Sequence, residues 1–280
     1  MPILLYGIVS LAYAVLALHF WRTRWRPATA QGAAMWERIA ILAPLLVHSW
    51  LLYQDLFEAS QFRFGFGYAL SCMLWLGVLI YWLESLFVKL EGLQPLVLGL
   101  AAVCAPLPAL FPGLVTPAYT HSLPFRLHTV LAMLAYSLFT IAALHAVLMT
   151  IVERRLHIHR TGAAQGSGPL AGPFAVLPPL LALESLLFRL ITMGFVLLTL
   201  TLGTGMFNSE EIFGRPIRFS HKTLFAVLSW FIFAALLAGR HFRGWRGRTA
   251  LRWTLAGFGT LLLAYVGSRF VLEVILGRGL

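Results

Sequence analysis

The chain has 280 residues, of which 60% are hydrophobic and 11% charged, where a soluble domain carries about 25% charged side chains. So small a polar inventory cannot cover a globular surface in water, and the sequence reads as an all-α, polytopic integral membrane protein. Twenty-one lysines and arginines against ten acids give a net charge of +11, but the cations fall between apolar blocks, as topology signals do, which argues against a nucleic-acid partner.

Eight apolar segments have roughly the 20 residues that a membrane helix needs: 3–21, 38–57, 66–88, 93–111, 127–152, 183–206, 221–239 and 253–275. The opening run, Met1-Pro2-Ile3-Leu4-Leu5, is followed rather than preceded by its positive charges. A cleaved secretory signal has the opposite order, so this segment is expected to stay and span. The odd-numbered connections hold Arg22, Arg24, Arg26 and Arg38, then Lys89, then Arg154, Arg155 and Arg160, then Arg240, Arg243, Arg246, Arg248 and Arg252, thirteen cations in all. The other side collects six: Arg63, Arg126, Arg215, Arg218, Lys222 and Arg278. The positive-inside rule therefore predicts both termini outside. Pro44, Pro95, Pro106 and Pro108, in or near apolar runs, predict kinks, and each frees a backbone carbonyl that must be satisfied locally. Residues 161–173, rich in Gly, Pro and Ala, read as a flexible cytoplasmic linker between helices one to five and six to eight. No internal repeat is visible, which weighs against an inverted-repeat transporter.

A single aspartate, Asp55, leaves almost no material for a carboxylate dyad or an aspartate-bearing triad. Cys72 and Cys104 lie far apart in apolar runs with no Cys-X-X-Cys pair, so packing is the expected role, and without Cys-X-X-Cys-His the chain is not itself a c-type cytochrome. Nine histidines remain. His157, His159 and His241 lie in basic connections and read as solvated, while His19 and His145 belong to the cytoplasmic half. His121, His128 and His221 share the outer membrane face. His48 lies about 15 Å deep in the second segment, where an imidazole is expensive unless partnered and is a functional candidate by default. Non-haem metal sites recruit carboxylates or thiolates beside imidazole, whereas haem iron needs axial ligands and apolar or aromatic walls. Aromatic residues make up 14% of the chain, but membrane helices are commonly rich in them. The residues alone leave haem as one reading among several. Arg269 precedes Glu273 by four, the spacing of a same-face ion pair, and Arg189 follows Glu184 by five. Such charges either neutralise one another and fix packing, or, for Arg126 and Arg269 near the outer face, hold a carboxylate such as a haem propionate. Glu210 and Glu211, in an outer loop, read as solvated.

From about residue 125 the sequence resembles the cytochrome c assembly, or haem-handling, membrane proteins of the CcsA/CcmC type, and within them the YpjD- and HemX-like subgroup. The resemblance is carried by Arg126-Leu127-His128, Leu134-Ala135-Tyr136-Ser137, Leu183-Glu184-Ser185 through Arg189 and Gly194-Phe195 to Leu198-Thr199-Leu200-Thr201-Leu202-Gly203-Thr204-Gly205, Gly244-Trp245-Arg246-Gly247-Arg248, and Ala264-Tyr265-Val266-Gly267-Ser268-Arg269. It divides the chain into a variable membrane half, 1–125, and an assembly-like half, 126–280. It implies a bacterial inner-membrane location and non-covalent haem, of the b type, with His128 in the place of the family's first external ligand. Two family features are missing. Residues 206–219 contain no tryptophan, leaving Phe207, Phe213 and Phe219 as the aromatic platform, and Leu272-Glu273-Val274-Ile275 stands where a second external histidine is expected. His221 is the candidate substitute, because it shares a face with His128. The set His128, His221, His48, Arg126, Arg269, Phe207, Phe213 and Phe219 is therefore the expected cofactor-binding group. His128 and His221 are its axial iron ligands. On this reading the chain binds and orients haem, is not an enzyme, and leaves thioether formation to cytochrome c maturation or haem-biosynthesis partners. The alternative, implied by the HemX likeness, is a non-catalytic adaptor or regulator of tetrapyrrole synthesis, whose basic loops 153–160 and 240–252 bind a soluble partner or anionic lipid.

Overall fold

A computed structural model describes residues 2–24, 35–58, 64–87, 92–113, 122–160, 180–207 and 221–276, and these residues are helical or connect helices. The long helices are α1 (Pro2–Arg24), α2 (Met35–Tyr53), α3 (Phe66–Ser85), α6 (Leu123–Arg160), α7 (Leu180–Phe207), α8 (His221–Arg243) and α9 (Gly247–Leu262). Wide π-helical turns extend α2 through Gln54–Glu58 and α9 through Leu263–Gly267 and Val271–Ile275. Seven helices among the described residues are long and apolar enough to cross a membrane, so all but the fourth of the expected spans are present.

The fourth span is broken. In place of a continuous helix over 93–111 stand α4 (Gln94–Cys104) and the one-turn α5 (Leu107–Leu110). Pro106 caps α5 and Pro108 sits in its first turn, so these prolines, like Pro95 at the start of α4, begin helices instead of kinking them, as Pro does where the missing N–H is not needed. Pro44 alone lies inside a helix. Because Pro106 has no N–H, it cannot serve the carbonyl of Ala102, one turn back. That oxygen instead accepts a 2.6 Å hydrogen bond from the Ser10 hydroxyl of α1. In a membrane nothing else is at hand to satisfy it. Ser10→Ala is therefore expected to lower stability by about 1 kcal/mol, a few degrees in the thermal midpoint of the detergent-purified protein. A midpoint equal to the wild type would remove this hydrogen bond from the account.

Contacts between helix ends sort the bundle into two layers. At the arginine-rich end Glu37 meets Arg24 (2.5 Å) and His19 (2.9 Å), Arg189 meets Glu84 (3.2 Å), and Arg248 meets Glu153 (2.8 Å). At the other end, called the outer end after the charge-bias expectation, Tyr6 and Tyr68 meet Asp55, and Glu273 meets the Phe66 N–H. The carbonyls of Leu107 and Phe111 lie against Gly67 at the start of α3, so α4 and α5 return the chain to the outer end despite their break. The first turns of α1 and the last described turns of the chain thus share one end of the bundle. Gly113 (φ +72°) and Gly65 cross there so closely that a Cβ on Gly65 would lie 2.7 Å from the Gly113 Cα, a left-handed backbone and a contact that both require glycine.

α3 and α6 are the central helices, each buried over 61% of its most apolar stretch against 22% for α1 and α8. α1, α2 and α4 gather on the α3 side, and α7, α8 and α9 on the α6 side. At mid-depth on that second side Phe139 of α6 stacks on Phe233 of α8 with ring centroids 3.9 Å apart. A Cβ on Gly194 of α7 would stand 3.1 Å from Phe139, and one on Gly257 of α9 2.8 Å from Phe233. Two glycines therefore open the slots that two rings fill, which is the usual way membrane helices approach closely.

The ion pairs differ in part from the spacing-based expectation. Arg269 and Glu273 pair at 3.8 Å. Glu184 and Arg189 do not: five residues place two side chains about 140° apart around a helix. Arg189 turns to Glu84 of α3, and Glu184 takes Arg240 at 2.6 Å with Arg246 at 3.6 Å. The expected linker 161–173 and Glu210 and Glu211 lie outside the described residues. α6 continues as helix to Arg160, so His157 and His159 fall on a helix and not in a loop.

Candidate functional site

The outer end of α6, α7 and α9 holds the densest group of predicted site residues. Tyr136 of α6 donates a 2.8 Å hydrogen bond to the Leu261 carbonyl of α9, tying the two antiparallel helices at one level. His128 and Arg269 each lie eight residues outward from that tie. At 1.5 Å per residue His128 stands about 12 Å above it along α6, and Arg269 lies beyond the wide turn Leu263–Gly267 of α9, so the imidazole and the guanidinium belong to the same end of two packed helices.

His128 is half-buried against the end of α7. Its Nδ1 lies 3.0 Å from the Thr204 hydroxyl, and a Cβ on Gly205 would lie 3.1 Å from its Cε1, so the absence of a side chain at Gly205 lets the ring approach the helix closely. The backbone carbonyl of Thr201 is a further hydrogen-bond partner. Arg269 is held beside Tyr265, its guanidinium carbon 5.8 Å from the ring centroid, and Lys222 approaches the same ring at 5.7 Å. Two cations share one aromatic ring. The Arg269–Glu273 pair, at 3.8 Å, is too long for a hydrogen bond. The Nε of Arg269 and Oε1 of Glu273 are buried polar atoms without a hydrogen-bond partner. Such atoms are uncommon in folded proteins, and the Arg269 Nε–H leaves a donor for an anionic group, whereas the Glu273 oxygen can only accept. Beneath it, Phe64, Tyr68 and Cys72 form a small apolar cluster that packs against Met133 and Tyr265, and Phe66 makes edge contact with Phe270.

The other predicted residues are placed as follows. His221 opens α8 with an exposed side chain, next to Lys222. Arg126 is exposed in the first turn of α6. Phe207 is the last residue of α7, and Phe213 and Phe219 lie outside the described residues. His48 belongs to a different cluster, on the α1–α2–α3 side. It is fully buried, its Nε2 2.8 Å from the Ser71 hydroxyl, with the rings of Tyr6 and Tyr13 at 6.4 and 5.9 Å. Sequence reasoning missed Thr204, Lys222 and Tyr265, and it read Asp55 only as a scarcity. Asp55 accepts hydrogen bonds from Tyr6 (2.7 Å) and Tyr68 (3.1 Å). Lys222 beside His221 was the available signal, as was Tyr265 in the run that ends at Arg269. At the opposite end, three arginines of the basic turn are engaged within the bundle, Arg240 and Arg246 with Glu184 and Arg248 with Glu153, while Arg243 and Arg252 are exposed.

Comparison with known proteins decides the family. A family model described as "Cytochrome C assembly protein" matches residues 36–276. The chain belongs to the cytochrome c assembly family. The match takes in α2 to α4 as well as the outer group on α6 to α9. Among curated relatives, the inner membrane protein YpjD of Escherichia coli K12 is 33% identical over 148 residues, 53% of this chain and 52% of that protein. The chain thus spans about half the length of the YpjD relatives it matches. Cytochrome c biogenesis protein CcsA of Thermosynechococcus vestitus is 26% identical over 180 residues, 55% of each chain. CcsA of Synechococcus sp. RCC307 is 25% identical over 290 aligned positions, 95% of this chain and 92% of the relative. No solved structure matches the chain. With seven apolar spans and inner-membrane relatives, this member of the cytochrome c assembly family is a multi-pass protein of the bacterial inner membrane.

Proposed function

We propose that this cytochrome c assembly protein holds non-covalent haem, of the b type, near the outer face, with His128 as one axial ligand and His221 as the other. The observation that carries the proposal is that His128 and Arg269 lie at the same end of the packed helices α6 and α9, with a buried Arg269 Nε that has no hydrogen-bond partner. Haem would bring the iron that takes imidazole nitrogen and two carboxylates that take cations. This chain's residues fit both needs. His128 is braced against α7, Arg269 and Lys222 supply charge for the carboxylates, and Tyr265, Phe64 and Tyr68 supply aromatic wall. Arg126 adds surface charge above them, and Phe207, Phe213 and Phe219 follow on the stretch that joins α7 to α8. His48 adds a buried imidazole deeper in the other half of the bundle. The protein supplies binding and orientation, and maturation partners supply the bond-making step.

The test is the oxidised and reduced absorption spectrum of the detergent-purified chain from haem-sufficient cells, with haem quantified against protein. About one haem per chain, with low-spin bands, is expected. Arg269→Leu should retain the low-spin bands but weaken haem retention about tenfold, from the loss of a charge-assisted contact of about 1.5 kcal/mol. A colourless protein that also fails to take up added haemin would overturn the reading, and would favour the regulator that acts through basic loops.

A further inference from the structure

We propose that Thr204 is a positioning residue that fixes the ring proton of His128 on Nδ1 and so presents Nε2 as the metal-binding atom. A threonine hydroxyl has one hydrogen and two lone pairs. The Thr204 hydroxyl lies 2.9 Å from the Leu200 carbonyl and 3.0 Å from the Thr201 carbonyl, so its hydrogen is committed to its own helix. Toward His128, at 3.0 Å, it acts as an acceptor. The Thr201 carbonyl, which also bonds His128, can only accept. The Thr204 oxygen, 3.0 Å from the Thr201 carbonyl on the same helix, asks for a proton on the nitrogen that faces it, Nδ1. In a neutral imidazole, a proton on Nδ1 leaves the lone pair on Nε2. Thr204 is thus the partner that sets a metal-ligating histidine's tautomer and ring angle. Gly205 keeps the ring within reach, because a side chain there would crowd Cε1.

The tautomer follows from the hydrogen bonds, while its use in holding iron rests on the haem reading above, and the experiment separates the two. The full-length chain, labelled with 15N in its histidine rings and purified from haem-limited cells, is examined by NMR, with the His128 signals identified by their loss in His128→Gln. The wild type should show a protonated Nδ1 and an unprotonated Nε2 at His128. Thr204→Val keeps the shape and removes the acceptor, and should give a mixture of tautomers, while Thr204→Ser should restore the wild-type pattern. In haem-loaded protein Thr204→Val should weaken haem retention by about tenfold and alter the low-spin spectrum, with Thr204→Ser again like the wild type. A wild-type His128 protonated on Nε2 would overturn the proposal without any Thr204 variant, as would a Thr204→Val tautomer identical to the wild type. A tautomer that responds to Thr204 in a protein that never takes up haem would uphold the positioning role and reject the haem reading.

Discussion

His128→Ala, purified beside the wild type, is expected to lose the low-spin haem bands and to retain less than about a tenth of the wild-type haem. The expectation rests on how the ring is held: Nδ1 is fixed on Thr204 at 3.0 Å, so the imidazole is braced before any iron arrives. His221 has a different setting, exposed at the first residue of α8. His221→Ala should therefore keep most of the haem but convert its spectrum from low spin to high spin, as one axial position opens. His241→Ala, exposed at the arginine-rich end, should leave both haem content and spectrum unchanged. Spectra that are the same for the wild type and His128→Ala would end the ligand assignment. A low-spin spectrum surviving in His221→Ala would confine the failure to the second ligand.

Glu37→Gln should be the most damaging of the conservative substitutions for stability. Arg24 and Glu37 meet at 2.5 Å with each side chain only 5% exposed, and Glu37 also binds His19 at 2.9 Å. Removing one charge of a buried pair leaves the other desolvated and uncompensated, which costs about 3–5 kcal/mol, whereas replacing both partners by apolar residues is often close to neutral. Glu37→Gln retains the shape and leaves Arg24 in place as a topology determinant, so orientation in the membrane should not change. Denaturation of the purified protein should show a loss of that size in Glu37→Gln and recovery of most of it in the double variant Arg24→Leu, Glu37→Leu. Equal midpoints for wild type and Glu37→Gln would show that the pair contributes nothing net.

Those two results probe opposite ends of a bundle whose long helices were legible in the sequence, because runs of about 20 apolar residues have few other uses. The broken fourth span was marked by Pro106 and Pro108, but a proline in an apolar run reads equally as a kink or as a helix start. The end of α4 at Cys104 and the new start at Leu107 distinguish them. Ion pairing was legible where both partners lie on one helix face, as with Arg269 and Glu273, and illegible where a charge reaches another helix, as when Arg189 turns from Glu184 to Glu84. The same limit hid Thr204, which meets His128 across 76 residues of sequence. Tyr265 and Glu273 lie on wide turns that no spacing rule anticipates, and Asp55 lies on a third. Such turns re-aim side chains and concentrate at functional sites. All three fall at the outer end.

The Phe139–Phe233 stack between Gly194 and Gly257 governs more than its own depth in the bilayer. His128 lies 11 residues outward from Phe139 along α6, and Arg269 lies 12 residues outward from Gly257 along α9. These are lever arms of about 16 Å on α6 and, with the wide turn at Leu263–Gly267 rising less per residue, a similar length on α9, pivoting on the same pair of rings. A tilt of only 5° between α6 and α9 at that pivot would move their outer ends by about 1.5 Å, more than the tolerance of a preorganised binding site. Two phenyl rings with no polar atom thus set the gauge between the imidazole and the guanidinium, and a methyl group added at Gly257 would be felt at the outer surface.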